Sequence, residues 1–174
     1  ASRSLASTIE RHRGWATLTS DATSTLGGQV VCHGDVHPGN VVMPSINYAG
    51  WNYSTLDQIT LENVDQLQIA WTWQVGILDS HEASPLVIGD MMYIVSPKPN
   101  YVYALDLNRD GVIVWEFRPD MNVEEAPRQG CCGAQTRGLN YAEGKIVFNT
   151  LDGQVFGLDA TTGEILDTRD VTDF

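Results

Sequence analysis

The chain has 174 residues, room for one domain with a real core or for part of a larger one. Hydrophobic residues make up 43% and aromatics 9%, which excludes a disordered chain. A formal net charge of −12 repels phosphate backbones and anionic lipid surfaces, so no nucleic acid partner is expected, whereas a basic protein or a cationic small molecule would suit it.

The first residues give little pattern. Residues 1–35 are rich in Ser, Thr, Arg and Gly without blade-like alternation, and 1–37 are expected to form a separate, poorly specified segment. Neither Met nor a secretory leader opens the chain, so its start is expected to be processed or cut from something longer. At the end of this segment, VVCHGDVHPGNVVM (30–43) resembles the catalytic loop of aminoglycoside/choline-kinase-type phosphotransferases. That resemblance would make Asp35 the residue orienting a substrate hydroxyl and Asn40 a magnesium ligand. Its context argues against it. About 30 residues are too few for a nucleotide-binding lobe, and PSINYAGWNY follows without a second metal-binding Asp. An exposed loop with two incidental histidines, His33 and His37, is the simpler account.

In TLENVDQLQIAWTWQV (60–75), Leu61, Val64 and Leu67 fit a short helix capped by Thr60. Ile69, Trp71, Trp73 and Val75 then alternate, as in a strand with one aromatic face. No apolar run approaches a membrane span, since LVIGDMMYIV is broken by Asp90.

The next two segments are copies of one pattern. Residues 86–117 and 139–170 each divide into four short strands, with Asp106 matching Asp159 and Gly111 matching Gly163 at nearly the same offset. The expected strands are 84–88, 91–96, 101–106 and 112–117, then 138–141, 145–150, 154–159 and 164–169. Asp-Gly and Thr-Gly breaks, where a left-handed backbone costs little, separate them. A four-stranded antiparallel unit recurring at this period predicts an all-β fold, an incomplete β-propeller of about two blades plus an extra strand and a short helix. Two blades do not close a ring, so the chain is expected to need remaining propeller blades.

Glu82 and Arg137 stand just before the first strands of the two copies, 55 residues apart. The repeat sets them at equivalent corners of neighbouring blades, near the mouth of the central channel. Such a pair can clamp a planar, polyanionic ligand, or simply tie two blades together. The pair Cys131–Cys132 in GCCGAQTRG has three readings: part of a metal site, two buried thiols, or a vicinal disulfide. Zinc lacks partners at suitable spacing, because Cys32 and four histidines form no array.

The stretch from MPSINYAGWNY to MMYIVSP, followed by GCCGAQTRGLNYAEGKIVF, resembles the start of a quinoprotein alcohol dehydrogenase of the methanol/ethanol type, over residues 38–174. The resemblance implies an eight-bladed propeller using pyrroloquinoline quinone (PQQ). It gives Glu82 and Arg137 to the quinone, and implies that Cys131 and Cys132 form a vicinal disulfide stacked on its ring. Gly133 and Thr136 stand where the family often has Asp and Asn, which puts supporting hydrogen bonds in doubt. The family's blade motif, A-x-D-x-x-T-G-x-x-x-W, survives in the first copy as Ala104, Asp106, Gly111 and Trp115. The second copy carries Asp167 in place of the tryptophan, which is expected to weaken its docking or mark an atypical blade.

The implied reaction is oxidation of a primary alcohol, with hydride passing to the quinone and a calcium or lanthanide ion acting as Lewis acid. Metal ligands and the catalytic aspartate are expected beyond Phe174, so the chain alone is expected to be inactive. A periplasmic location and a cytochrome c electron acceptor follow from the same resemblance. A propeller serving only as a protein-binding scaffold is the alternative, as is a kinase-like segment 1–37 joined to a dehydrogenase fragment.

Overall fold

The computed structural model describes residues 59–79, 81–121 and 135–171, together with the backbone of two strands, β1 (Trp15–Thr19) and β2 (Gln29–His33). A minimal strand β3 (Thr72–Trp73) precedes the first repeat. That repeat folds as β4 (Leu86–Ile88), β5 (Met91–Val95), β6 (Val102–Asp106) and β7 (Val112–Phe117). The second folds as β8 (Asn140–Ala142), β9 (Lys145–Asn149), β10 (Gln154–Asp159) and β11 (Ile165–Asp170). Each is a four-stranded antiparallel meander in sequence order, which is the topology of a propeller blade.

The repeated Asp builds the same turn twice. Asp106 accepts from the Asn108 amide at 2.9 Å, and its backbone carbonyl accepts from Gly111 at 2.9 Å. Asp159 accepts from the Thr161 and Thr162 amides at 2.8 and 2.9 Å, and its carbonyl accepts from Gly163 at 2.8 Å. These bonds turn the chain from the third strand into the fourth, and they favour the ionised carboxylate. Both aspartates are accordingly held below the usual carboxylate range: Asp106 chiefly by the Arg109 side chain, Asp159 chiefly by the Thr162 backbone amide.

Gly111 and Gly163 have a second reason to be glycine. A tryptophan from the neighbouring unit lies flat on each. A Cβ on Gly111 would stand 2.6 Å from Trp71, and one on Gly163 would stand 2.7 Å from Trp115. Trp115 also donates its indole N–H to the Ala160 carbonyl at 3.0 Å, and Tyr93 donates its hydroxyl to the same oxygen at 3.0 Å. Thus the second blade docks through Trp115, whereas Asp167 lies on β11, whose six residues are all exposed. By the repeat, Asp167 concerns the contact of the second blade with whatever follows it, which lies outside the described residues.

Blade packing explains the apolar pattern. In β5, Tyr93 and Val95 face the second blade, where they join Leu139, Ile146, Phe148, Phe156 and Leu158 in one core. Met92 and Ile94 face the other way, with Leu105, Tyr103 and Val75, against Trp71 and Trp73. Side chains alternate across the sheet, and because both faces of β5 are covered the strand reads as continuously hydrophobic. Burying each large apolar side chain contributes about 1.5–3 kcal/mol. Polar ties supplement this core at its edge, where buried Asn100 accepts from the Leu151 amide of the second blade at 3.1 Å.

Three expectations need correction. The short helix is a 3-10 turn at Val64–Gln66, with the Thr60 hydroxyl accepting from the Glu62 amide at 3.2 Å. Leu61, Val64 and Leu67 are exposed, so no described surface buries the apolar stripe that would have sustained a helix. The extra strand shrinks to Thr72–Trp73; Trp71, Trp73 and Val75 turn inward as expected, but Ile69 does not. Finally, β1 and β2 pair antiparallel and β1 pairs in parallel with β3, strand structure that the composition of the first 35 residues did not announce.

Candidate functional site

The two blades meet at their first strands. Ser84 and Gly138, one from each blade, form a parallel bridge immediately ahead of β4 and β8. The residues just before this bridge are therefore neighbours, as the repeat offset predicts. Arg137 Nη1 donates to Glu82 Oε2 at 3.1 Å. The Arg137 side chain is 86% exposed and that of Glu82 41%. An ion pair this open adds little to stability. It nevertheless presents an acceptor beside a guanidinium fork with N–H donors to spare.

The backbone carrying Glu82 is held on both sides. Ala83 is buried beneath the blade interface, and Ser84 makes the bridge to Gly138. On the other side His81 is packed inward, its Nε2 sealed from solvent without a hydrogen-bond partner. Burial pushes the His81 ring below the usual histidine range, and the backbone at Val95 and at His81 itself only partly opposes this. Thr136, next to Arg137, is also buried. Glu82 and Arg137 are thus side chains projecting from fixed corners.

Of the expected site residues, the structure brings Glu82 and Arg137 together. Cys131 and Cys132 lie outside the described residues, as do Asp35, Asn40 and the rest of the phosphotransferase-like stretch beyond His33. Among the described residues, no group of three or more His, Cys, Asp or Glu side chains could hold a metal ion. No described helix is long and apolar enough to cross a membrane. Sequence reasoning counted His81 only among the four histidines set aside for zinc, although it directly precedes Glu82.

Comparison with known proteins adds a second line of observation. The family model described as PQQ, glucose/ethanol/alcohol dehydrogenase, β-propeller domain, matches residues 45–168. The chain is 42% identical over 144 residues to the lanthanide-dependent methanol dehydrogenase of Methylorubrum extorquens, covering 83% of this chain and 24% of that protein. It is 41% identical over 167 residues to methanol dehydrogenase (cytochrome c) subunit 1 of Paracoccus denitrificans, covering 91% of this chain and 26% of the relative. The fold superposes on a europium-containing methanol dehydrogenase with a TM-score of 0.73 and 46% identity, over 79% of this chain and 24% of that one. The chain spans about a quarter of the length of these relatives. With the matched region running through both blades and the corner between them, the chain belongs to the PQQ glucose/ethanol/alcohol dehydrogenase β-propeller family.

Proposed function

We propose that these blades contribute one side of the cofactor pocket of a PQQ-dependent alcohol dehydrogenase acting on primary alcohols. The observation that carries this reading is the contact of Glu82 with Arg137 across the blade junction. PQQ is planar and polyanionic, and the donor set at this corner fits it. Arg137 has N–H groups left over for a carboxylate or carbonyl, and the Glu82 carboxylate can accept from an N–H or O–H. As a ring covers the corner, loss of water strengthens both interactions. Cys131 and Cys132, joined as a vicinal disulfide, are assigned to the flat surface beneath that ring.

When bound, PQQ supplies the two-electron acceptor for alcohol oxidation and a calcium or lanthanide ion supplies a Lewis acid. The part of this chain is to bind and orient: Arg137 fixes the anionic edge, Glu82 fixes the rotation of the ring, and the docked blades keep the two corners in register. The names of the relatives support a lanthanide ion and a cytochrome c acceptor, calcium being the alternative ion the resemblance implies, and a periplasmic location accords with an intact disulfide.

The test is PQQ titration of the purified 174-residue protein, followed by quenching of tryptophan fluorescence. Binding is expected, with Arg137→Ala weakening it by about tenfold or more, the scale of one charge-assisted hydrogen bond. No turnover of a primary alcohol with a dye acceptor is expected from these 174 residues alone. Failure to bind PQQ, or equal binding by Arg137→Ala, would refute the assignment.

A further inference from the structure

The short strand β3 repeats, one unit earlier, what β7 does for the second blade. Trp71, just ahead of β3, lies on Gly111 of the first blade as Trp115 of β7 lies on Gly163 of the second. Two residues further on, Trp73 meets Tyr103 edge to face with ring centroids 4.9 Å apart, and Phe117 meets Phe156 in the same way at 5.2 Å. Trp71 and Trp73 thus correspond to Trp115 and Phe117, and each pair packs on the blade that follows it. By this correspondence β3 takes the place of the outermost strand of a further blade, stacked on the first.

What differs is the partner of the strand. Within the first blade β7 pairs with β6, and the two run antiparallel: Glu116 stands opposite Tyr103 and Phe117 opposite Val102. Among the described strands β3 also has one partner, but it is β1, and it runs parallel: Thr72 stands opposite Thr17 and Trp73 opposite Leu18. β2 then pairs antiparallel with β1, giving the order β2-β1-β3. Both hairpin strands precede residue 45, where the family match begins, whereas β3 lies within that match. The partner of β3 therefore comes from outside the propeller region. Its hold is slight, because the register covers only Thr72 and Trp73 and parallel pairing is less stable per residue than antiparallel. Left uncovered, the N–H and C=O groups of such an edge are open to any other strand.

We propose that the β1–β2 hairpin is a displaceable guard of the β3 edge: it closes that edge until an antiparallel strand of the adjoining blade takes its place. The role that β6 plays for β7 is filled for β3 by β1. The proposal rests on strand pairing and not on the cofactor reading, so the outcome of PQQ titration does not bear on it.

Three forms of the 174-residue protein test it without cofactor. In Leu18→Pro the proline removes an amide donor from β1 and weakens its pairing. The more protected of the Thr72 and Trp73 amides should then exchange about tenfold faster or more, while the Ile146 and Leu158 amides of the second blade keep their rates and report an intact fold. Unchanged exchange at both Thr72 and Trp73 overturns the guard. The third form, Thr17→Cys with Thr72→Cys, does not depend on that variant folding. Mild oxidation should join these two positions, which stand opposite in the register, and peptide mapping should find the 17–72 link; its absence overturns the pairing. Displacement is read with a peptide of residues 101–107, YVYALDL, the sequence of the strand that partners β7. It should slow the exposed β3 amide of Leu18→Pro, bind the unaltered protein more weakly, and fail to bind the oxidised double-cysteine form. Equal binding by all three forms, or none by Leu18→Pro, overturns displacement.

Discussion

Replacing Gly163 by alanine tests the blade-docking geometry with a built-in control. Two separate costs arise at this position. Its φ of 75° is left-handed, which costs an L-residue about 1–2 kcal/mol. The new Cβ would also stand 2.7 Å from the Trp115 ring, closer than such contacts allow, so the indole must shift. Overpacking of this kind costs about 1–3 kcal/mol, and tilting the indole away from the Ala160 carbonyl forfeits a hydrogen bond worth about 1 kcal/mol. The sum is about 3–6 kcal/mol, a large share of the 5–15 kcal/mol typical of a domain. Gly89→Ala supplies the control, because its φ is 63° but nothing lies within 4 Å of the added methyl. Only the backbone cost of about 1–2 kcal/mol should appear there. Urea unfolding followed by far-UV circular dichroism gives both values, and tryptophan fluorescence reports the displaced indole. Equal losses for the two variants would show that the tryptophan does not press on Gly163, and the docking account would fail.

Three further outcomes are expected. Tyr93→Phe and Trp115→Phe should each cost about 1 kcal/mol in hydrogen bonding, plus lost packing at Trp115, since the other donor still satisfies the Ala160 carbonyl. The double variant leaves that oxygen without either donor and should lose more than the sum of the two, so strict additivity in denaturant melts would contradict the shared-acceptor geometry. Asp159 is held below its ordinary range in the folded protein, so its unfolded form binds the proton first; its contribution is present above the ordinary carboxylate pKa and lost as pH falls through the folded value. Asp159→Asn should therefore melt with a shallower acid dependence than the unaltered protein, and parallel acid profiles would rule the turn out as a source. The intact protein should weigh two hydrogens less before reduction than after, with peptide mapping placing the bridge at Cys131–Cys132; linkage through Cys32, or no change on reduction, would remove the stacking surface from the proposal.

Much of the blade architecture is local chemistry and was legible for that reason. Turn signals at Gly89-Asp90, Asp110-Gly111 and Thr162-Gly163 confine the strands, and the expected limits lie within one or two residues of β4–β11. The Glu82–Arg137 contact was also accessible, because equivalent positions of adjacent repeats become spatial neighbours once blades stack. Other features depend on what packs against what. The apolar stripe of Leu61, Val64 and Leu67 has helical spacing but no described surface to bury it, so only a 3-10 turn forms. The use of Trp71 against Gly111 needed the neighbouring unit in place. His81 shows the same limit: nothing in a sequence says that its Nε2 will be sealed away from water. Pairing of β1 with β3 joins residues more than 50 positions apart and had no repeat to announce it.

The central claim is that the blade corner at Arg137 and Glu82 receives PQQ. Side-chain nitrogen-15 correlation spectra of the 174-residue protein, recorded as PQQ is added, test it most directly, because each arginine reports for itself. Arg109 and Arg118 are engaged with Asp106 and Glu116 and serve as internal references for nonspecific attraction of an anion. The account predicts a saturable shift of the Arg137 Nε–H signal, with Arg109 and Arg118 unmoved, and loss of that saturation in Glu82→Gln. An unshifted Arg137, or equal shifts at all three arginines, would contradict it.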